Sequence, residues 1–365
     1  SFFNLGTASG SPISWPQGTT PYLYGGFFLE YVSKTYGVTI PTDFNHQYAG
    51  RLLPFSVNKT LQDVTGQTFH ELWKEWAAYE KAKALATGVV VEAEGRTPVD
   101  TLTEEGNQHR YPRMRPGTDA ISYYSSGLNS DDVIAQTQPS APGRSNELID
   151  IDGLVGPSDW GPDGRHLYLL RRQYHDSVYL YSDLYVWQAD DRDATDGELH
   201  RMTRGDRVQD LAVSPDGDHI AFVRHRRGTM ELVTCRLDAT HLRTCSTIAG
   251  GNDHPAKKEA HWQQFSGLDW SPDGEALVFS WWRLDDRRRD LWVWRPAGPD
   301  TPPGAGNLRR LTHSASYELQ PAFGPDGMLY YSSDRSGIYN IYAREWPEGT
   351  TYQVSNVTTG LFDPR

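Results

Sequence analysis

The chain has 365 residues, with 47 Asp and Glu against 35 Lys and Arg and a formal net charge of −12. That balance argues against a nucleic-acid partner, which needs a basic face for its phosphates. Aromatics at 12%, with 34 Gly and 23 Pro, describe a strand-and-turn protein, and no apolar run reaches the roughly 18 residues of a membrane span.

The first ten residues are rich in Gly and Ser and read as a loop. Thr20-Pro21 then opens a helix from Tyr22 to Tyr36, with Phe27, Phe28, Tyr31 and Val32 as its bulky apolar positions and Gly37 as its stop. A second helix is expected from Thr42 to Arg51, and a third, capped by Asn58, to Val64 before Gly66. The fourth has the strongest signal: Thr68 and Glu71 form a capping box, and Phe69, Leu72, Trp73, Trp76 and Tyr79 recur at helical spacing. An all-helical module is therefore expected over residues 1–87. Gly88 ends it, and Val89-Val90-Val91-Glu92-Ala93-Glu94 reads as a strand, followed by a second ending at Leu102-Thr103. Two strands make no stable sheet alone, so they are expected to complete a blade from the far end of residues 88–365.

The rest of the chain is a repeat. Gly161-Pro162-Asp163-Gly164, Ser214-Pro215-Asp216-Gly217, Ser271-Pro272-Asp273-Gly274 and Gly324-Pro325-Asp326-Gly327 are copies of one turn, with Arg115-Pro116-Gly117-Thr118 a degenerate fifth. Pro fixes φ at the second position, Asp bonds its own backbone, and Gly accepts a positive φ. The prolines fall at 116, 162, 215, 272 and 325, at intervals of 46, 53, 57 and 53 residues. A short run ending in an apolar residue precedes each turn and a strand such as Ile220-Ala221-Phe222-Val223 follows. A third strand is aromatic, as in Asp183-Leu184-Tyr185-Val186-Trp187 and Asp290-Leu291-Trp292-Val293-Trp294, and a closing signature recurs at Leu102-Thr103, Met202-Thr203, Leu311-Thr312 and Val357-Thr358. Four strands per unit of this length define a β-propeller blade. The fold class is thus mainly β, a multi-bladed propeller behind a helical module. Five blades are readable, at about 104–153, 154–205, 206–250, 251–314 and 315–360. Leu361-Phe362-Asp363-Pro364-Arg365 repeats the run before the turns, so a sixth is begun, the ring is incomplete and the chain is expected to be a fragment.

Cys235 and Cys245, the only cysteines, fall on adjacent strands around Thr240. They are either a cross-strand disulfide, which implies an oxidising compartment, or two buried thiols. Arg224-His225-Arg226-Arg227 and Arg287-Arg288-Arg289 read as solvated hairpin loops. The acidic loop from Asp190 to Gly197 misses the calcium-loop spacing, with Met202 where a bidentate Glu belongs. The histidines lack paired ligand spacing, and no Gly-x-Ser-x-Gly string is present. No metal or cofactor is assigned to this chain.

With Ser332-Ser333-Asp334-Arg335-Ser336-Gly337-Ile338-Tyr339-Asn340-Ile341-Tyr342, the turn repeat resembles the PD-repeat propellers of the TolB type, which are similar to those gating prolyl oligopeptidases. The helical part, Trp15-Pro16-x-Gly18-x-x-Pro21-Tyr22-x-Tyr24-Gly25-Gly26-x-Phe28-x-x-Tyr31 to Tyr36-Gly37, then Leu72-Trp73-x-x-Trp76, resembles the segment after the zinc site in gluzincin-type (peptidase MA-like) metallopeptidases of bacterial envelopes. In some of those a TolB-like propeller follows directly. The family's His-Glu-x-x-His is missing: His70-Glu71-Leu72-Trp73-Lys74 has Lys for the second His, and its Glu is used as a helix cap. The resemblance implies a zinc motif N-terminal to Ser1. It also places Tyr22 where relatives of aminopeptidase N carry a Tyr that donates to the oxyanion of the tetrahedral intermediate; packing of the first helical turn is the alternative. The resemblance implies the downstream portion of a secreted or periplasmic zinc metallopeptidase, inactive by itself, whose propeller binds or gates peptide or protein. A non-catalytic interaction propeller and the gating propeller of a prolyl oligopeptidase-like serine peptidase are the rivals.

Overall fold

The computed structural model describes residues 2–10, 17–52, 55–103, 108–127, 131–189, 196–251, 262–284, 287–298 and 304–365. Trp15-Pro16 and residues 190–195 of the acidic loop lie outside them. The chain divides into two units, Ser1–Glu94 and Gly95–Arg365.

The first unit holds α1 (Leu5–Ala8), α2 (Thr20–Tyr36), α3 (Ile40–Ala49), α4 (Val57–Thr65) and α5 (Phe69–Glu94). The apolar faces of α2 and α5 bury Phe28, Tyr31, Val32, Leu72, Trp73 and Trp76 together with Leu61, whereas Phe27 and Tyr79 are half exposed. The capping box forms: Thr68 N–H donates to Glu71 (2.8 Å) and Glu71 N–H to the Thr68 hydroxyl (3.3 Å). Asn58 is not the cap expected of it. Ser56 holds that position, and the Asn58 side-chain Oδ1 instead accepts from Phe69 N–H at 2.7 Å, tying α4 to the start of α5.

The strand expected at Val89–Glu94 is also overturned, because α5 runs through it. One Gly in a helix interior costs only about 1 kcal/mol, and extending a formed helix adds a hydrogen bond per residue fixed. Val91 is buried, which gives the extension an apolar anchor.

The second unit contains five four-stranded antiparallel sheets, each with its strands in sequence order. Blade I is β1 (Gln108–Met114), β2 (Ile121–Ser126), β3 (Val133–Thr137) and β4 (Ser145–Asp150). Blade II is β5 (Leu154–Trp160), β6 (His166–His175), β7 (Tyr179–Ala189) and β8 (Gly197–Arg201). Blade III is β9 (Val208–Val213), β10 (His219–Arg226), β11 (Thr229–Asp238) and β12 (His241–Gly250). Blade IV is β13 (Gln263–Trp270), β14 (Leu277–Arg283), β15 (Arg288–Pro296) and β16 (Gly306–Arg310). Blade V is β17 (Glu318–Phe323), β18 (Leu329–Ser333), β19 (Asn340–Arg344) and β20 (Thr351–Gln353). Every blade is built from consecutive strands, so none is shared between the two ends as the sequence suggested. Residues 95–103 form no strand; Thr97 N–H donates to Asn356 O (2.9 Å), and Asn356 N–H returns a bond to the Thr97 hydroxyl (2.8 Å).

The recurring turn connects the first and second strands of each blade. Gly164, Gly217, Gly274 and Gly327 have φ of 64°, 77°, 72° and 76°, and the four aspartates accept from the backbone just beyond, as with Asp216 and Asp218 N–H (3.0 Å). The closing signature is explained by the third strand. Asp183 is fully buried and accepts from Arg201, the Thr203 hydroxyl and the N–H groups of Gly205 and Asp206 at 2.6–3.1 Å, while Thr203 in turn accepts from Leu184 N–H (2.9 Å). Burial pushes the Asp183 carboxyl up, but these donors hold it below its ordinary value. Asp290, Arg310 and Thr312 repeat the arrangement in blade IV. In blade V the place belongs to Ser355, which accepts from Ile341 N–H (2.8 Å) and donates to Asn340 (3.0 Å), and not to the expected Val357-Thr358.

Apolar clusters fill the space between neighbouring sheets; that between blades II and III includes Leu170, Leu184, Leu211, Ile220, Phe222 and Cys235. Cys235 and Cys245 face each other in the β11–β12 register and are disulfide-bonded, with Cα atoms 4.1 Å apart. Among the described residues no helix is long and apolar enough to cross a membrane.

Two outcomes follow for urea unfolding. Asp183→Ala leaves Arg201 and two amides without their acceptor and should cost about 3–5 kcal/mol. The Cys235→Ser/Cys245→Ser pair should cost about 3 kcal/mol on the loop-closure estimate for a short loop; a double variant as stable as the parent would argue against the bridge.

Candidate functional site

The first strand of each blade lines the axis, and β1, β5, β9, β13 and β17 lie side by side in that order. These strands are irregular. In β1, β5, β13 and β17 the pairing with the second strand slips, with positive φ at Tyr111 (58°), Gly156 (67°), Gly267 (65°) and Gln320 (52°). A bulge of this kind twists the strand and re-aims its side chains. Here it accompanies carboxylates that bond to the next blade. Asp159 accepts from Val213 N–H (2.8 Å), Asp210 from Gly267 N–H (2.6 Å) and Asp269 from Phe323 N–H (2.7 Å). Gln320 accepts from Asp363 N–H (2.9 Å), and Asp363 has φ of 55°. Residues 361–365 are thus not a paired strand, yet they repeat the positive φ and the blade-to-blade bond.

Two arginines balance part of this charge. Arg113 Nε lies 3.3 Å from Asp159, and Arg365 Nη1 lies 2.8 Å from Asp269. Burial pushes the Asp159 carboxyl above its usual range and that of Asp210 up to about 6. At Asp210 desolvation does this against Arg113, Arg365 and the Gly267 and Leu211 amides, which all pull the other way. Among the described residues no three or more His, Cys, Asp or Glu are grouped to hold a metal. Through their bonds to the next blade the axial acids clasp neighbouring sheets together.

Each unit carries a concave surface among its described residues. A cleft of about 720 Å³ between blades III and IV is lined by Asp216, His219, Arg236, Trp270, Glu275 and Arg295. On the helical unit, an apolar groove of about 870 Å³ is lined by Phe2, Leu23, Tyr24, Phe27 and Trp76.

Tyr22, the candidate oxyanion donor, lies in the first turn of α2 with 82% of its surface exposed. Its ring does not serve the helical core. His70 is exposed, Trp73 is buried and Glu71 closes the capping box, so that string does not fit a zinc ion. The axial residues Arg113, Asp159, Asp210, Asp269 and Arg365 were not singled out by sequence. A signal was available, since Arg113, Asp159 and Asp269 each stand three residues before a turn proline.

Five four-stranded sheets arranged in this way around a charged axis define a β-propeller. No protein-family profile matches the sequence. A protein assigned as TolB from Agrobacterium tumefaciens superposes with a TM-score of 0.52 at 15% identity, over 70% of this chain and 86% of that one. TolB from Acinetobacter baumannii gives 0.44 at 16% identity over 67% of this chain, and prolyl oligopeptidase B from Galerina marginata gives 0.45 at 14% over 68%. This chain spans 52% and 38% of the lengths of the latter two. Likeness at such identities establishes the fold alone.

The raised Asp210 gives a pH signature. Because its folded value exceeds the unfolded one, it contributes stability that is fully present below the unfolded value and is lost as pH rises through about 6. The parent should therefore lose about 1 kcal/mol more than Asp210→Asn between pH 5 and pH 7.5, by urea unfolding at each pH. Equal losses would show that Asp210 titrates normally.

Proposed function

We propose that the propeller binds peptide or protein segments, and that the helical unit is the C-terminal part of a gluzincin-type metallopeptidase domain acting on them in an oxidising, extracytoplasmic compartment. The observation that carries this reading is the division of labour within the helical motif. Phe28, Tyr31, Trp73 and Trp76 are buried, which packing explains. Tyr22 is exposed in the same motif, and among the described residues its hydroxyl has no hydrogen-bond partner. A Tyr hydroxyl held on a rigid helix start can donate to a developing oxyanion, where such a donor contributes more than in the ground state. The residues of this chain do not fit the zinc that the family uses, so no step is assigned to it here. The Cys235–Cys245 bridge agrees with the compartment.

A second reading is a non-catalytic interaction propeller, a role open to this fold, which the TolB-assigned protein shares.

The test is hydrolysis and binding of fluorogenic peptides by the intact protein purified from its cell envelope. Tyr22→Phe should lower kcat about a hundredfold with KM little changed; unchanged turnover removes Tyr22 from the mechanism. Binding without hydrolysis by the parent supports the second reading, and absence of both overturns the two together.

A further inference from the structure

A half-buried guanidinium is ordinarily matched by a carboxylate, because desolvating an unpaired charge is costly. Several arginines on the face opposite the recurring turns obey this: Arg201 pairs with Asp183, Arg224 with Glu231, Arg310 with Asp290 and Arg335 with Glu318. Arg289 does not. It lies at the start of β15, next to the β14–β15 connection, and reaches across its sheet to the axial strand. There Nη1 donates to Ser266 Oγ (2.9 Å) and Nη2 to Gln264 Oε1 (2.6 Å), both uncharged acceptors. Burial pulls its pKa down, and the groups that partly offset this are the hydroxyls of Tyr317 and Tyr339. The neighbouring Asp290 is engaged with Arg310 and Thr312.

A second arginine on the same face of the adjacent blade repeats the anomaly. Arg207 immediately precedes β9, stacks over Tyr181 at 5.2 Å and has a buried Nε without a hydrogen-bond partner. Beside it, His225 Nε2 is likewise buried and unpartnered, and burial together with Arg207 lowers the imidazole pKa. Neighbouring blades thus each present a desolvated cation beside tyrosine rings, with no carboxylate assigned to it among the described residues.

We infer that this face holds a carboxylate-binding site centred on Arg289 and extended by Arg207, and that its ligand is an acidic peptide segment. This rests on the reading of the propeller as a peptide binder and names the class of peptide. Guanidinium planes fixed by stacking or by neutral acceptors keep free edges for carboxylate oxygens. Cationic sites on two blades suit carboxylates spaced along an extended chain, and Tyr181, Tyr317 and Tyr339 add contact area for its apolar parts. The net charge of −12 opposes a long polyanion such as nucleic acid, whereas a short acidic peptide responds mainly to the local face.

The test is fluorescence anisotropy on the intact protein, using a labelled peptide of about twelve residues alternating Glu and Ala and its Gln counterpart. The Glu peptide should bind at least about tenfold more tightly, and salt raised from about 50 to about 500 mM should remove most of that advantage. Arg289→Met should bring the two peptides within about twofold, leaving Gln-peptide binding intact and the unfolding midpoint unchanged or raised, since a desolvated charge has gone. Equal binding of both peptides by the parent overturns the carboxylate site while peptide binding stands. Binding of neither overturns the peptide reading with it, and tighter binding of a twelve-base single-stranded oligonucleotide overturns the choice of ligand. Should Arg289→Met fail to fold, Arg207→Met decides: a lowered Glu preference supports the site, and an unaltered one overturns it.

Discussion

The propeller depends on a hydrogen bond that crosses from one sheet to the next. A carboxylate on the axial strand of one blade accepts from a backbone N–H on the axial strand of its neighbour, at Asp159, Asp210 and Asp269. Apolar clusters hold sheets together without fixing their rotation or stagger, because hydrophobic contact has no direction. A charge-assisted bond to a specific amide has direction and supplies the register that packing lacks. The arrangement costs desolvation of several acids in one place, which Arg113 and Arg365 offset in part. An axis occupied this way is committed to assembly, and binding surfaces are left to the faces and clefts.

Within each blade a second set of buried polar groups does a comparable job. Asp183 and Asp290 gather an arginine and a threonine from the outer strand or the loop beyond it, and Asn340 with Ser355 does so without charge. Each of these acids is matched by donors, whereas Arg289 and Arg207 have no carboxylate partner among the described residues and so depart from the pattern of their own fold. Departures from local consistency tend to fall where function has been placed.

The architecture was legible wherever backbone geometry dictates residue type. A turn needing fixed φ, then a positive φ, leaves Pro and Gly at regular intervals, and a capping box leaves Thr68 and Glu71 three apart. The failures share a cause, which is that tertiary context decided. Val89–Glu94 has a strand composition, but it continues a helix already formed. Val357-Thr358 matches the closing signature in sequence, while Ser355 occupies its place in space. The axial aspartates are polar residues inside apolar runs, and only the position of the next blade shows what they bond. The exposure of Tyr22 and the neutral partners of Arg289 are properties of surroundings assembled from distant segments, and no local pattern encodes them.

The bonds between Thr97 and Asn356 join residues 259 positions apart in the chain. A nascent polypeptide emerges from its N-terminal end, so the segment at Gly95–Val99 must wait for nearly the whole of the unit to be synthesised before it meets its partner. Individual blades contain only local pairings and can form as they appear, each leaving an open flank until the next arrives. Assembly of this unit can thus run from blade to blade, with the Thr97–Asn356 contact a late long-range event in it, and the interval before that event is when the unfinished sheets are most exposed to unwanted association.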